Sequence, residues 1–276
     1  MRRPRSVIAR VRRPLAFGAV WLLRIGAFAL LFAPILLVIL LSFGGESFTS
    51  IPPRTYALRW YRNIFIRDEF VAGFLTSLTV ALIAAPVSVI LGTSSAYALW
   101  KRPSAWTRAL EPVLMSPVLL PLVVTGLSLL VFFNRVHFYA GLASIVIAHV
   151  IITFPYSFRA VLAALSRYDR QLDEAAASVR VRPWASFLHV TLPMIRPGLF
   201  AGALFAFVMS FDDFATTIFL ITPGAKTLPI AIYQYMEFNL DPTVSAVSSL
   251  LVLLAVSGVL VIERLIGMDR FVGLRA

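Results

Sequence analysis

The chain has 276 residues, of which 59% are hydrophobic and 14% are charged. Soluble domains carry about 25% charged residues, so this composition excludes a soluble protein and indicates an integral membrane protein. A formal net charge of +12 is compatible with nucleic-acid binding, but the basic residues flank apolar runs and therefore predict membrane topology instead. The chain has no cysteine, which excludes a disulfide framework, a thiol nucleophile and a cysteine metal site.

A basic segment and a long apolar run begin the chain. Residues 1–15 hold six arginines and no acidic residue, which predicts a cytoplasmic N-terminus. The run over 16–43 predicts the first transmembrane helix. It is too long for the apolar part of a signal peptide and lacks a small-residue cleavage site, so a retained anchor is favoured over a cleaved signal. Residues 44–69 are too polar to cross and are predicted to be periplasmic.

Five further apolar runs follow, each near the roughly 20 residues that a transmembrane helix needs. They are predicted over residues 70–100, 112–133, 140–165, 199–220 and 243–262. Together with the first helix they predict an all-α integral membrane protein with about six transmembrane helices and both termini in the cytoplasm. Residues 70–265 would form the transmembrane core, and residues 266–276 a cytoplasmic tail.

Two of these runs contain residues that are unusual in a membrane. The third run holds Pro112, Pro117 and Pro121, which predict a kinked helix that either lines a pathway or packs in the core. The fourth run holds His149, with no carboxylate at helical spacing. An interhelical hydrogen bond is therefore favoured over a proton relay for His149.

One long polar segment, residues 169–198, separates the fourth and fifth runs. Asp169 can cap a short helix whose first turns carry Asp173 and Glu174, where carboxylates suit the positive end of the helix dipole. The alanines at 175–177 favour a helix with a face of small side chains. Pro183 can begin a second short helix. The pattern predicts two short helices outside the membrane that offer a small-residue face to a partner.

The order of residues in this segment resembles a known motif. Glu174-Ala175-Ala176, followed by Leu192-Pro193 and Pro197-Gly198, resembles the EAA loop of ABC-importer permeases. The resemblance implies a coupling helix, between the fourth and fifth transmembrane helices, that docks into a cleft of a cytoplasmic ATPase. The coupling residues that it implies are Glu174, Ala175, Ala176, Arg180, Leu192, Pro193 and Gly198. The alternative is an ordinary amphipathic loop.

Arg180 departs from the family pattern, which has glycine six residues after the glutamate. Glycine there would supply a turn with positive φ, and an arginine in that conformation costs roughly 1 kcal/mol or more. Either the turn is built differently in this chain or the coupling is altered.

Asp212 and Asp213 are adjacent carboxylates inside the fifth apolar run. An ionised group at membrane depth costs at least about 2.5 kcal/mol, so it should face a cavity or a cation. Neighbours on a helix point about 100° apart, so one carboxylate can face a pathway while the other caps a broken turn or pairs with another helix. Aromatic rings can add cation–π contacts to a cationic substrate, and the candidates are Phe207, Phe211, Phe214, Tyr233 and Tyr235. The alternative is a structural carboxylate paired with an arginine.

The same region resembles the spermidine/putrescine branch of these permeases. The resemblance rests on Ser210-Phe211-Asp212-Asp213-Phe214, Thr222-Pro223-Gly224, Thr227-Leu228-Pro229 and Ile232-Tyr233. It implies polyamine import across a bacterial inner membrane, in contact with membrane lipid. It also implies a heterodimer with a second permease, a dimer of ATPase subunits and a periplasmic binding protein. Permeases for iron, phosphonate-type or amino-acid-derived substrates share much of this pattern and stay open as alternatives.

No motif in the sequence predicts chemistry by the chain itself. Residues 224–227 read GAKT and lack the earlier glycine of a P-loop, so ATP hydrolysis is expected on the partner. We expect no catalytic residue, no metal site, no cofactor and no nucleic-acid partner. A secondary transporter would usually show an internal repeat, and a membrane enzyme would need a nucleophile, base or metal constellation; neither pattern is found.

Overall fold

A computed structural model of the protein describes residues 7–48, 50–138 and 141–266. Apart from two isolated bridges, these residues form helices and connecting segments with no strand. The helices in chain order are α1 (Val7–Ser42), α2 (Arg59–Ile66), α3 (Asp68–Lys101), α4 (Ala105–Leu114), α5 (Ser116–Leu119), α6 (Leu122–Arg135), α7 (Leu142–Leu165), α8 (Gln171–Ser178), α9 (Pro183–Ser186), α10 (Leu192–Met194), α11 (Arg196–Phe211), α12 (Leu228–Phe238) and α13 (Thr243–Ile266). A π-helical segment covers Phe187–Thr191, and a 3₁₀ turn covers Thr217–Phe219.

Among the described residues, three helical stretches are long and apolar enough to cross a membrane: Val20–Ser42 of α1, α3 and α7. The segment Pro183–Met194 and α11 make a fourth if they are counted as one span, although they are bent by 71°. Helix α6 and the Thr243–Gly258 part of α13 are apolar but shorter. The all-helical membrane fold is therefore confirmed, while the count of six spans, the orientation of the termini and the boundaries at 15, 43, 69 and 265 stay predictions.

The third apolar run is not one continuous helix, and this part of the prediction is wrong. It is divided into α4, α5 and α6, with breaks at Met115 and at Leu120–Pro121. Pro117 lies in the first turn of α5, and Pro121 precedes α6 with an extended ψ of 131°. A proline lacks the N–H that a continuing helix needs and disfavours helical geometry in the residue before it, so Pro117 and Pro121 lie at helix boundaries, whereas Pro112 lies inside α4.

The described chain divides into two compact units. The first contains the described residues up to Ile66 and those from Phe238 to Ile266, so it comprises α1, α2 and α13. Polar side chains join α2 to its neighbours in this unit: the Asn63 amide donates to the Thr243 hydroxyl at 2.9 Å, and the Tyr61 hydroxyl lies 2.6 Å from that of Ser42. These part-buried bonds attach the polar helix α2 to the ends of the apolar helices α1 and α13.

The second unit, Arg67–Glu237, is built around α3, α7 and α11, and it carries all the predicted site residues. Small residues let these helices approach closely. A Cβ on Gly92 of α3 would lie 2.7 Å from the backbone nitrogen of Phe158 in α7. The Ser157 hydroxyl of α7 also donates to the Gly202 carbonyl of α11 at 3.1 Å. Small interfacial residues and interhelical hydrogen bonds are the usual means by which helices associate in membranes.

Candidate functional site

The predicted coupling segment begins with α8, whose N-cap position is Arg170, one residue after the predicted cap Asp169. The Asp169 carboxylate accepts a hydrogen bond from the Gln171 backbone N–H at 2.9 Å, next to the helix start. Asp173 and Glu174 lie in the first turn, where their charges complement the helix dipole. The local sequence therefore explains both where α8 begins and why it is helical.

Asp173 lies on the inner side of α8, with only 11% of its side chain exposed. It forms an ion pair with Lys101 at the end of α3, and it accepts hydrogen bonds from the hydroxyls of Tyr168 at 3.0 Å and Ser186 at 3.4 Å. Burial by itself raises the pKa of Asp173, but the bonds from Lys101 and Tyr168 outweigh it and hold the pKa below its usual value. Asp173 is therefore ionised at neutral pH.

The outer side of α8 carries Glu174 and Ala175. Both side chains are exposed, as are Gln171 and Ser178 at matching positions of the helix, whereas Ala176 is half-buried. Residues three and four apart share a helix face, so Gln171, Glu174, Ala175 and Ser178 form one exposed surface. The sequence predicted a small-residue face formed by the alanines at 175–177. Glu174 and Ala175 lie on the exposed surface, Ala176 does not, and the contacts of Asp173 were not predicted.

Arg180 ends α8 in a left-handed conformation, with φ of +59°. Its N–H donates to the Ala177 carbonyl at 3.0 Å, and the Val181 N–H donates to the Ala176 carbonyl at 3.0 Å. These paired bonds form a Schellman motif, in which glycine is the usual residue at the left-handed position. The turn that a glycine would supply is thus present, and Arg180 forms it.

Beyond the turn, Pro183 begins α9, and the helical path continues through the π segment to Met194. The chain then bends by 71° at Ile195 and enters α11. Leu192 and Pro193 are half-buried at this bend. A Cβ on Gly198 would lie 2.5 Å from the Cβ of Ala164 in α7. The second half of the motif therefore shapes the bend and the packing of α11, rather than the exposed face of α8.

Asp212 and Asp213 lie just past the end of α11, not within a helix as the fifth apolar run predicted. The Asp213 carboxylate is buried and accepts hydrogen bonds from the Thr216 N–H at 3.2 Å, the Thr217 N–H at 2.9 Å and the Thr217 hydroxyl at 2.9 Å. It caps the 3₁₀ turn that follows, as was predicted for one of the pair. Asp212 is exposed.

His149 of α7 is buried against this turn. Its Nδ1 lies 2.8 Å from the Ser210 hydroxyl, and its Nε2 lies 2.8 Å from the Thr217 hydroxyl and 3.6 Å from Asp213. Because the Thr217 hydroxyl donates to Asp213, its oxygen accepts from Nε2–H, and Nδ1 then accepts from Ser210. His149 is the interhelical contact that the sequence predicted, and its carboxylate neighbour comes from a distant part of the chain.

The predicted aromatic residues pack against other rings and differ in exposure. Phe211 packs against Phe74 at 5.7 Å between ring centroids, and Phe214 packs against Tyr233 at 5.0 Å. Tyr233 is 42% exposed, so one face of that pair is accessible. Tyr235 is buried, with its ring 5.1 Å from that of Phe70 and 4.7 Å from the guanidinium carbon of Arg67. Within the described residues, no three metal-ligating side chains come together.

The family described as "Binding-protein-dependent transport system inner membrane component" matches residues 88–267. The chain belongs to this family. Its fold agrees, because it resembles a bacterial ABC transporter involved in the import of the acidic polysaccharide alginate, with a TM-score of 0.68 at 16% identity over 95% of this chain and 97% of that one. It also resembles the MetNI methionine ABC transporter, with a TM-score of 0.59 at 20% identity over 75% of this chain and 96% of that one.

Two sequence relatives are named for polyamines. The chain is 31% identical to the putrescine transport system permease protein PotI of Escherichia coli, over 81% of this chain and 82% of that protein. It is 26% identical to the spermidine/putrescine transport system permease protein PotC of Haemophilus influenzae, over 83% and 89% respectively. The chain is therefore a permease subunit of an ABC importer, and its relatives are transport proteins rather than enzymes.

Proposed function

We propose that this permease subunit carries a small cationic substrate, a polyamine such as putrescine or spermidine, across a bacterial inner membrane. ATP hydrolysis on a partner ATPase dimer drives the movement into the cytoplasm. The observation that carries the substrate class is the similarity to the putrescine and spermidine/putrescine permeases, which extends over at least 81% of this chain. The family also implies a periplasmic substrate-binding protein, and we propose a second permease subunit as heterodimer partner.

The exposed face of α8 is the proposed contact with the ATPase. Glu174 and Ala175 project away from the contacts that Asp173 makes with the rest of the unit. A carboxylate beside a small side chain suits a partner cleft that offers a cation and admits close backbone approach. The predicted topology, six helices with both termini in the cytoplasm, supports this contact because it would put α8 on the side of the membrane where ATP is available.

Asp212 is the proposed substrate contact of the carboxylate pair. Asp213 already accepts three hydrogen bonds from its own turn and is buried, so it is a structural group. Asp212 is exposed, and the Phe214–Tyr233 ring pair lies in the following segments. A carboxylate and aromatic faces are the groups that recognise an ammonium ion.

Uptake of labelled putrescine and spermidine, in cells that express the complete system, tests the substrate. We expect Asp212→Asn to reduce uptake at low substrate concentration by about 10- to 100-fold, the equivalent of the roughly 1.5–3 kcal/mol of a charged hydrogen bond. The control is Glu69→Gln, which removes a carboxylate from an exposed ion pair with Arg67 and should leave uptake unchanged.

The outcomes separate the parts of the proposal. Uptake that is unchanged in Asp212→Asn and in the Asp212→Asn/Asp213→Asn double variant would remove these residues from the substrate path. Wild-type cells that take up neither polyamine would refute the polyamine substrate and direct the search to iron, phosphonate-type or amino-acid-derived substrates.

A further inference from the structure

We infer that Asp173 is the positioning residue that links the coupling helix α8 to the membrane helix α3, so that force from a docked ATPase reaches α3. This inference rests on the proposed docking of the ATPase on α8. It assigns different tasks to two adjacent acids: Glu174 faces the partner, and Asp173 faces the membrane unit.

The contacts of Asp173 join four separate pieces of the second unit. Lys101 is the last residue of α3, Tyr168 follows α7, and Ser186 ends α9. All three bind the one carboxylate of α8. The Asp173 side chain is only 11% exposed, whereas the Lys101 side chain is 43% exposed, so the carboxylate is largely shielded from water and the ammonium group is not. Displacement of α8 therefore displaces the partners of Asp173.

A second set of contacts attaches the same end of α3 to the same segment. The Arg170 guanidinium donates to the Trp100 carbonyl at 2.7 Å, and its carbon lies 4.8 Å from the centre of the Trp100 ring. The Trp100 ring also packs edge-on against Tyr168, at 5.4 Å between centroids. The end of α3 is thus held by the Lys101–Asp173 ion pair, by the hydrogen bond to the Trp100 carbonyl and by the contacts of the Trp100 ring. Together these contacts resist separation of α3 from α8.

Helix α3 connects this attachment to the region of the proposed substrate contact. Phe74, near the start of α3, packs against Phe211 immediately before Asp212. At about 1.5 Å rise per residue, Phe74 and Lys101 lie about 40 Å apart along the helix axis. Helix α3 is continuous between the two sites, with Pro86 in its interior, and a continuous helix is an element that can transmit movement from one to the other.

Hydrogen exchange of the purified chain, with and without its ATPase bound, tests the link. In the wild type we expect ATPase binding to slow exchange both in α8 and in the last turn of α3, Ala98–Lys101. Asp173→Asn should still recover the ATPase by co-purification, because the Glu174 face is unchanged. Its α8 should be protected on binding, while the protection at the end of α3 falls several-fold.

Three further variants keep the test decisive if Asp173→Asn fails to fold. Lys101→Gln removes the α3 side of the pair and leaves Asp173 its hydroxyl partners, so it should show the same selective loss. The exchanged pair Lys101→Asp/Asp173→Lys should regain part of the protection, which would show that the ion pair itself carries the link. Glu111→Gln is the control, since it breaks a more exposed ion pair with Arg159 of α7 and should change nothing.

Three results would overturn the inference. Full protection of the α3 end in both Asp173→Asn and Lys101→Gln would show that the link carries no movement. Loss of ATPase recovery in Asp173→Asn, to the same extent as in Glu174→Lys, would place Asp173 in the docking face. A wild-type chain that recovers no ATPase would instead refute the proposed docking itself, and this inference with it.

Discussion

Replacing Arg180 by glycine should stabilise the turn at the end of α8. Arg180 has φ of +59°, a conformation that glycine adopts freely and that other L-residues adopt at a cost of roughly 1–2 kcal/mol. The two backbone bonds of the Schellman motif do not involve the arginine side chain, so the substitution keeps them. Relief of the unfavourable backbone conformation is the main effect expected in the folded state.

The expected magnitude is a difference between two terms. Glycine relieves the roughly 1–2 kcal/mol of positive-φ strain, and it loses roughly 0.5–1 kcal/mol more conformational entropy on folding than a residue with a side chain. The net stabilisation is about 1 kcal/mol. Since about 1.4 kcal/mol corresponds to a factor of ten, the motif should open about fivefold less often.

Hydrogen exchange of the Val181 amide, which donates to the Ala176 carbonyl, measures this opening directly. We expect about fivefold slower exchange in Arg180→Gly after correction for the intrinsic rate. The matched control is Arg182→Gly, because Arg182 is also an exposed arginine but has φ of −62° and offers no strain to relieve. Equal or faster exchange in Arg180→Gly, or the same slowing in Arg182→Gly, would show that the positive φ at Arg180 does not destabilise the turn. If ATPase coupling is also unaltered in Arg180→Gly, the arginine has no functional role there.

Four further predictions follow from single contacts. Glu174→Lys should abolish transport while membrane insertion stays normal. Normal uptake in this variant would contradict the docking role of Glu174. Gln171→Lys, which adds the same charge to the same face of α8, is the comparison variant. His149→Ala should lower thermal stability by about 1–3 kcal/mol, because it leaves the Ser210 and Asp213–Thr217 groups buried without their partner; an unchanged melting temperature would contradict this. Gly198→Leu should disturb the packing of α11 on α7 and cost about 1–3 kcal/mol, whereas the same change at the open position Gly224 should cost little. The pKa of Asp173 is lowered in the folded protein. The ionised carboxylate therefore stabilises α8 above its ordinary pKa of about 3.9, and this stabilisation is lost as the pH falls through the lower pKa of the folded protein. The difference in α8 hydrogen exchange between wild type and Asp173→Asn should vanish at acid pH.

The coupling segment shows how far local sequence determines structure. Asp169, the alanines after Glu174, and Pro183 act through neighbouring residues, and α8 and α9 form where they predict. The family pattern marked position 180 as a turn that favours glycine, and Arg180 keeps the positive φ of that turn rather than building it differently. The role of Asp173 was not, because Lys101 lies 72 residues away and Tyr168 belongs to the end of another helix. Helical spacing alone does not reveal which of two adjacent acids faces inward.

The proline-rich third run shows the opposite case. Its composition predicted one kinked span, and the structure breaks it into three short helices. Whether a proline kinks or ends a helix depends on whether neighbouring helices can satisfy the freed carbonyls, and that is a property of the packed unit.

The sequence was sufficient to predict a helical membrane protein with a polar segment of two short helices, because apolar length, charge placement and helix-starting residues act over a few turns of chain. Which of Asp212 and Asp213 is buried and which is exposed depends on the tertiary structure. The buried carboxylate is the one that meets the turn at Thr217 and the ring of His149, which is contributed by another helix. The same holds for Glu174 and Asp173. Both residues of each pair carry a carboxylate. Their roles differ because only one of the two side chains points into the packed unit.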